Sequence, residues 1–219
     1  MSSFYLFIQM QTSKYKTIQS VGEGLYKEKG SKFYAFAFPV TKLDQIKMHI
    51  SKLRKEHYQA VHVCSAYRLG SDKTIFKAND DGEPSNSAGP PILGQIKSFD
   101  LTNILIAVVR YYGGVNLGVG GLIHAYKTAS KTAIESCQII EKEDFKTIEL
   151  LFQYEQLSFV MQQIKHADAK IVKQETTTIC SMFIELPVSN IGFENKIIDQ
   201  NIHLSEEKQI QITNHGISK

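Results

Sequence analysis

The sequence predicts an α+β protein of two domains, and three observations predict it. The first is a switch near residue 40 from the period of a strand to the period of a helix. The second is a near-continuous apolar run at 104–112 that leads into glycines and a helical pattern. The third is a strand, helix, strand, strand, helix, strand order after a charged stretch at 141–144. The expected organisation is a βαβ-type domain over 1–143 and a ferredoxin-like βαββαβ domain over 144–219.

Along the first domain, Lys32 to Phe38 alternates, with Tyr34, Phe36 and Phe38 on one face and Phe33, Ala35 and Ala37 on the other. Pro39 stops that ladder. From Thr41, a plausible N-cap by residue type, Leu43, Ile46, Ile50, Leu53 and His57 recur at three- and four-residue spacing and predict an amphipathic helix. Ala60 to Arg68 reads as a strand, and Thr74 to Ala78 as its hairpin partner across Gly70-Ser71-Asp72-Lys73. A loop rich in Gly, Pro and Ser follows. Ile104 to Tyr112, ILIAVVRYY, predicts a central strand buried on both faces. Leu122, Ile123, Tyr126, Ala129, Ala133, Ile134 and Cys137 then mark one face of a long helix.

The charged stretch Glu141-Lys142-Glu143-Asp144 reads as a boundary. Beyond it the pattern gives strands at 147–152, 170–176, 178–187 and 209–213, with helices at 156–166 and 192–200.

Composition places the chain among ordinary globular proteins, with 42% hydrophobic and 21% charged residues in 219. Cys64, Cys137 and Cys180, an odd number widely spread, fit reduced thiols, so the cytoplasm is the expected location. The N-terminal MSSFYLFIQMQTSK has an apolar patch, but it lacks a basic leader and the length of a membrane span, so no export signal and no membrane association are expected. Charge is uneven. Residues 1–143 hold 18 Lys and Arg against 12 Asp and Glu, a net +6, while 144–219 hold 7 against 10, a net −3. A positive first half suits a polyanion, although dispersed charge is more often plain solvation.

Two segments carry candidate chemistry. In Asp80-Asp81-Gly82-Glu83-Pro84-Ser85 three carboxylates fall within four positions, a set able to hold Mg²⁺ through Asp80, Asp81 and Glu83. For an isolated cluster of this kind a solvated turn is the commoner explanation. The segment Gly113 to Gly121 has glycines at 113, 114, 118, 120 and 121 between a strand and a helix, where freed N–H groups and the helix dipole suit an anion. A tight turn that lets a helix pack closely accounts for it equally well, and neither the Walker nor the dinucleotide fingerprint is present. Arg110, near the end of a buried strand, needs a partner, either a carboxylate of the acidic loop or a ligand phosphate. His124 and Lys127 add donors beside the glycines. His62 and Cys64 share a strand face, but no second Cys/His pair lies near in sequence, so a packed histidine and a buried thiol are expected.

The segments AVHVCSAYRLG (60–70), DDGEPSNSAGPPIL (80–93) and VVRYYGGVNLGVGGLIHAY (108–126) together resemble the IMPACT/YigZ family over about residues 14–138. The remainder resembles the C-terminal domain of the YigZ branch, related in shape to a domain of elongation factor G. The resemblance implies a first domain folded like the second domain of a small-subunit ribosomal protein, a shape suited to RNA or phosphate. In eukaryotic members the matching domain belongs to a regulator of translation that restrains an initiation-factor kinase by competing for its activator. The residues carried over are His62, Cys64, Asp80–Glu83, Pro84, Ser85, Ala88, Gly89, Arg110, Gly113, Gly114, Leu117, Gly118, Gly120 and Gly121, with no catalytic role implied. The sequence departs from the family pattern at Asn86, Ser87, Pro90 and His124; at the last two a basic residue is common, which weakens the case for tight phosphate binding.

Two functions are therefore expected. One is a translation-linked regulatory or binding protein that contacts RNA, the ribosome or a protein partner. The alternative is a Mg-dependent phosphate- or nucleotide-binding enzyme, with Asp80, Asp81 and Glu83 on the metal and Ser85, Arg110, Gly113, Gly114, Gly118, Gly120, Gly121 and His124 around the anion.

Overall fold

The computed structural model describes residues 14–190 and 192–207. It is a mixed α and β structure that divides into two compact units, with the division between Glu141 and Lys142.

The first unit is built on a five-stranded sheet of order β2-β3-β6-β4-β5, formed by β2 (Gly22–Glu28), β3 (Ser31–Pro39), β4 (His62–Leu69), β5 (Ile75–Asn79) and β6 (Ile104–Tyr111). Every neighbouring pair is antiparallel. Strands β3 and β4 therefore run parallel to one another on either side of β6, joined by α1 (Leu43–Glu56). Helices α2 (Gly89–Ser98) and α3 (Gly118–Glu135) cover the opposite face, and β1 (Lys14–Ile18) pairs with β7 (Ile139–Glu143).

Burial follows from these layers. One core joins Phe33, Ala35 and Ala37 of β3 to Ile92 and Ile96 of α2 and to Ala125, Tyr126 and Ala129 of α3. On the other face Ile46 and Leu53 of α1 pack on Leu105, Ala107 and Val109. Strand β6 is covered on both sides, which is why its sequence does not alternate.

Helix α2 falls where the sequence reads as a loop. Pro90 and Pro91 stand in its first turn, where the missing N–H groups have no intrahelical acceptor to lose. Helix α3 starts at Gly118, so the last three glycines are helical rather than loop. Thr41 is not the N-cap of α1: the cap is Lys42, and Gln45 Oε1 accepts the N–H groups of Thr41 at 2.8 Å and Lys42 at 3.2 Å. Strands β1, β2 and β7 carry no pattern that predicts them. In β2 the glycines break the alternation because α3 lies against the backbone there; a Cβ on Gly24 would stand 2.6 Å from Ala133 N.

The second unit comprises β8 (Phe145–Gln153), a single 3-10 turn, α4 (Leu157–His166), β9 (Lys170–Glu175), β10 (Ile179–Pro187), α5 (Phe193–Ile198) and β11 (His203–Glu207). Its sheet has the order β11-β8-β10-β9, antiparallel throughout. The core joins Ile148 and Leu150 of β8 and Met182 and Ile184 of β10 to Val160 and Ile164 of α4 and Phe193 and Ile197 of α5. The expected last strand at 209–213 and the N-terminal apolar patch lie outside the described residues; the strand that flanks β8 opposite β10 is at 203–207. Among the described residues no helix is long and apolar enough to cross a membrane.

Candidate functional site

The acidic loop leaves β5 at Asn79 and ends at α2. Its three carboxylates diverge, and each is taken up by a different partner. Asp80 turns toward α2: Oδ1 accepts the N–H groups of Ala88 at 3.0 Å and Gly89 at 2.8 Å, and Oδ2 accepts that of Asn86 at 2.9 Å. It therefore satisfies the first donors of α2 and places negative charge at the positive end of the helix. Asp81 turns back to β4, where Oδ2 accepts Val63 N–H at 2.6 Å and Oδ1 pairs with Arg54 of α1. Its carbonyl accepts the Nδ1–H of His62 at 2.6 Å.

Glu83 turns inward. Its Oε1 accepts from Arg110 Nη1 at 2.6 Å and from the Tyr126 hydroxyl at 2.7 Å, with His62 Nε2 at 4.0 Å. Arg110 also lies over the rings of Phe33, at 5.5 Å, and Tyr112, at 5.6 Å. Between the two alternatives for Arg110, the structure supplies the carboxylate.

Cys64 is buried beside this group, its Sγ donating to the Asp80 carbonyl at 3.0 Å and standing 3.3 Å from the Tyr126 oxygen. Burial pushes its thiol up to about 12; the Tyr126 hydrogen bond, next in size, opposes this, and the Glu83, Asp81 and Asp80 charges add to the rise. A thiol held protonated in this way is no nucleophile. Burial likewise raises the Tyr126 phenol.

The three carboxylates expected to hold Mg²⁺, Asp80, Asp81 and Glu83, do not converge. Among the described residues no three His, Cys, Asp or Glu side chains come together to hold a metal ion. Both oxygens of Asp80, both of Asp81 and Oε1 of Glu83 already accept from amides, two guanidiniums and a phenol, and the three groups point three ways.

The glycine-rich segment is assembled differently from the expectation. Gly113 packs on the β2–β3 turn, where an added Cβ would stand 2.0 Å from the carbonyl carbon of Gly30. Gly114 and Gly118 have positive φ, and Gly118, Gly120 and Gly121 form the first turn of α3. Ser85 is exposed, its Oγ accepting from Asn86. His124 stands edge-on to Tyr26 of β2 at 5.7 Å. Arg110, Glu83 and Asp81 thus belong to one connected group with His62 and Cys64, while Ser85 and His124 stand outside it. Tyr126 and Arg54 complete that group. Only Tyr126 carries a signal in sequence, a hydroxyl in an otherwise apolar helical stripe that must find a partner once buried.

The model of the Impact N-terminal domain family matches residues 29–134. The chain is 28% identical over 91% of its length to IMPACT family member YvyE of Bacillus subtilis, 87% of which is covered. It is 30% identical over 78% of its length to IMPACT family member YigZ of Escherichia coli, covering 85% of that protein. The chain belongs to the IMPACT family. Family members also include proteins named IMPACT in yeast and mammals, of which it spans less than half, 43% in Saccharomyces cerevisiae and 35% in human. A solved structure described as a hypothetical protein is 26% identical with a TM-score of 0.64, over 90% of this chain and all of that one.

Proposed function

We propose that this IMPACT family chain is a translation-linked binding protein, contacting RNA, the ribosome or a translation-related protein through its first unit. The observation that carries this reading is the internal use of all three acidic-loop carboxylates. With those charges neutralised inside the fold, the cations of the +6 first half dominate what a partner meets. The second unit, with its βαββαβ order and fourth strand beside the first, is assigned to the ferredoxin-like class. The first, with its β3–α1–β4 crossover, is assigned to the class of the ribosomal-protein domain. Cys64, Cys137 and Cys180 are all free thiols, which suits a reducing cytoplasm.

The alternative of a Mg-dependent phosphate enzyme loses its metal ligands to internal partners. Its anion site also loses Arg110 Nη1, which is committed to Glu83.

Co-sedimentation with purified ribosomes and with total RNA at low and moderate salt tests the reading. Retention that falls steeply with salt is expected, because neutralised phosphates release counterions. Absence of retention at low salt overturns it.

A further inference from the structure

Helix α1 covers only the middle of its face of the sheet. It packs over β4 and β6, and leaves the same face of β2 and β3 open: Leu25 and Lys27 are exposed, and Tyr34 and Phe36 are half-buried. At the end of this strip lies a cleft of about 490 Å³ lined by Gly30, Lys32, Tyr34, His57, Tyr111 and Tyr112. Its volume falls in the range of small-ligand sites.

The rings in the cleft are held in place. His57 lies nearly parallel to Tyr34 at 6.2 Å, and Tyr111 stands edge-on to Tyr34 at 5.8 Å. His57 Nδ1 and the Tyr111 hydroxyl share a hydrogen bond of 2.8 Å. A ligand that stacks here meets rings already ordered, so little rotamer freedom is lost on binding.

Lysines gather beside the rings. Strand register places Lys27 directly across from Lys32, and Lys29 is in the turn between them. All three are exposed, and none pairs with a carboxylate among the described residues. Like charges directly opposite across a sheet are unfavourable, and an anion between them reverses the sign of that interaction. The carboxylate on this face of β2, Glu23, lies four residues from Lys27, opposite Phe36.

We infer that this cleft takes one base of a single-stranded RNA, stacked among Tyr34, His57 and Tyr111, with Lys27, Lys29 and Lys32 holding the flanking phosphates. Aromatic rings interleaved with unpaired cations suit an unstacked strand; in a duplex the base faces are closed to such rings. The inference rests on the RNA reading above and gives it a place.

Fluorescence anisotropy with a labelled oligouridylate tests it. Tyr34→Leu should weaken binding about tenfold, the effect of losing one stacked base. Lys27→Ala with Lys32→Ala should weaken it at low salt and reduce the slope of log affinity against log salt by about 1.4. Lys97→Ala, exposed on α2 on the opposite face of the sheet, should change the affinity little. Tyr34 also contributes to packing, so the paired lysine variant, at exposed positions, decides the matter if Tyr34→Leu fails to fold. Binding that all these variants leave intact overturns the inference while the RNA reading stands. Equal affinity for an oligouridylate–oligoadenylate duplex overturns the stacking. No binding by the unsubstituted chain overturns the RNA reading and the inference with it.

Discussion

Arg110 and Glu83 meet at 2.6 Å inside the first unit, with side chains only 8% and 2% exposed. A charge so placed is tolerable only beside its partner, and the pair is further tied to Tyr126. Glu83→Gln should cost about 3 kcal/mol, because it leaves Arg110 buried and uncompensated. Adding Arg110→Met removes the second charge yet keeps an amide oxygen for Tyr126, and should recover most of that loss. Urea unfolding of the two single variants and the double closes the cycle. A single variant that loses less than about 1 kcal/mol would show that the pair does not govern stability.

Asp80 caps α2 from nine residues before Gly89. Asp80→Ala strands three amide donors and should lower stability by about 2 kcal/mol, with Asp80→Asn less damaging because one acceptor remains. The same bonds forecast that millimolar Mg²⁺ leaves the melting temperature of the unsubstituted protein unchanged. A Mg²⁺-dependent rise abolished by Asp80→Asn would restore the metal reading.

What the sequence made legible follows physical locality. Strands β3, β4 and β6 and helices α1 and α3 were readable because burial imposes a period on neighbouring residues. That Arg110 needs a partner was readable too, since a buried guanidinium must be paired, with a carboxylate and a ligand phosphate both open. Which carboxylate was not: Asp80 and Asp81 answer to amides of α2 and β4, whose positions depend on the whole sheet. Helix α2 was hidden because its stabilising acceptor lies outside the helix and its first turn is proline-rich. The Tyr126 hydroxyl, set in an apolar helical stripe, signals the need for a partner, but nothing local says that the partner is Glu83, 43 residues away. The open face of β2 and β3 was invisible because it depends on how far α1 reaches across the sheet.

Two glycines of the 113–121 segment should respond oppositely to alanine. At Gly113 the new Cβ would lie 2.0 Å from Gly30, backbone against backbone, so Gly113→Ala should displace the β2–β3 turn and destabilise the first unit. At Gly120 a Cβ meets nothing within 4 Å, and the residue is already helical. Gly120→Ala should therefore stabilise the protein by up to about 1 kcal/mol. Thermal melts of both variants check the contrast. Equal effects would mean that the turn yields more easily than its packing indicates.

Alkaline conditions test the burial of Cys64. Its thiol ionises near 9.0 when exposed and at about 12 in the fold. Above pH 9 the unfolded chain releases this proton while the folded one keeps it. The unfolded state then binds fewer protons, so stability present below pH 9 falls as pH rises toward 12, by at most about 1.4 kcal/mol per pH unit for this group. Urea midpoints measured from pH 8 upward should decline, and Cys64→Ala should flatten part of that decline. In the folded protein Cys64 should also resist a thiol reagent at pH 8 that labels it after unfolding. Rapid labelling in the native state, or a decline identical in Cys64→Ala, would mean that the thiol is not shielded by the acidic loop and Tyr126.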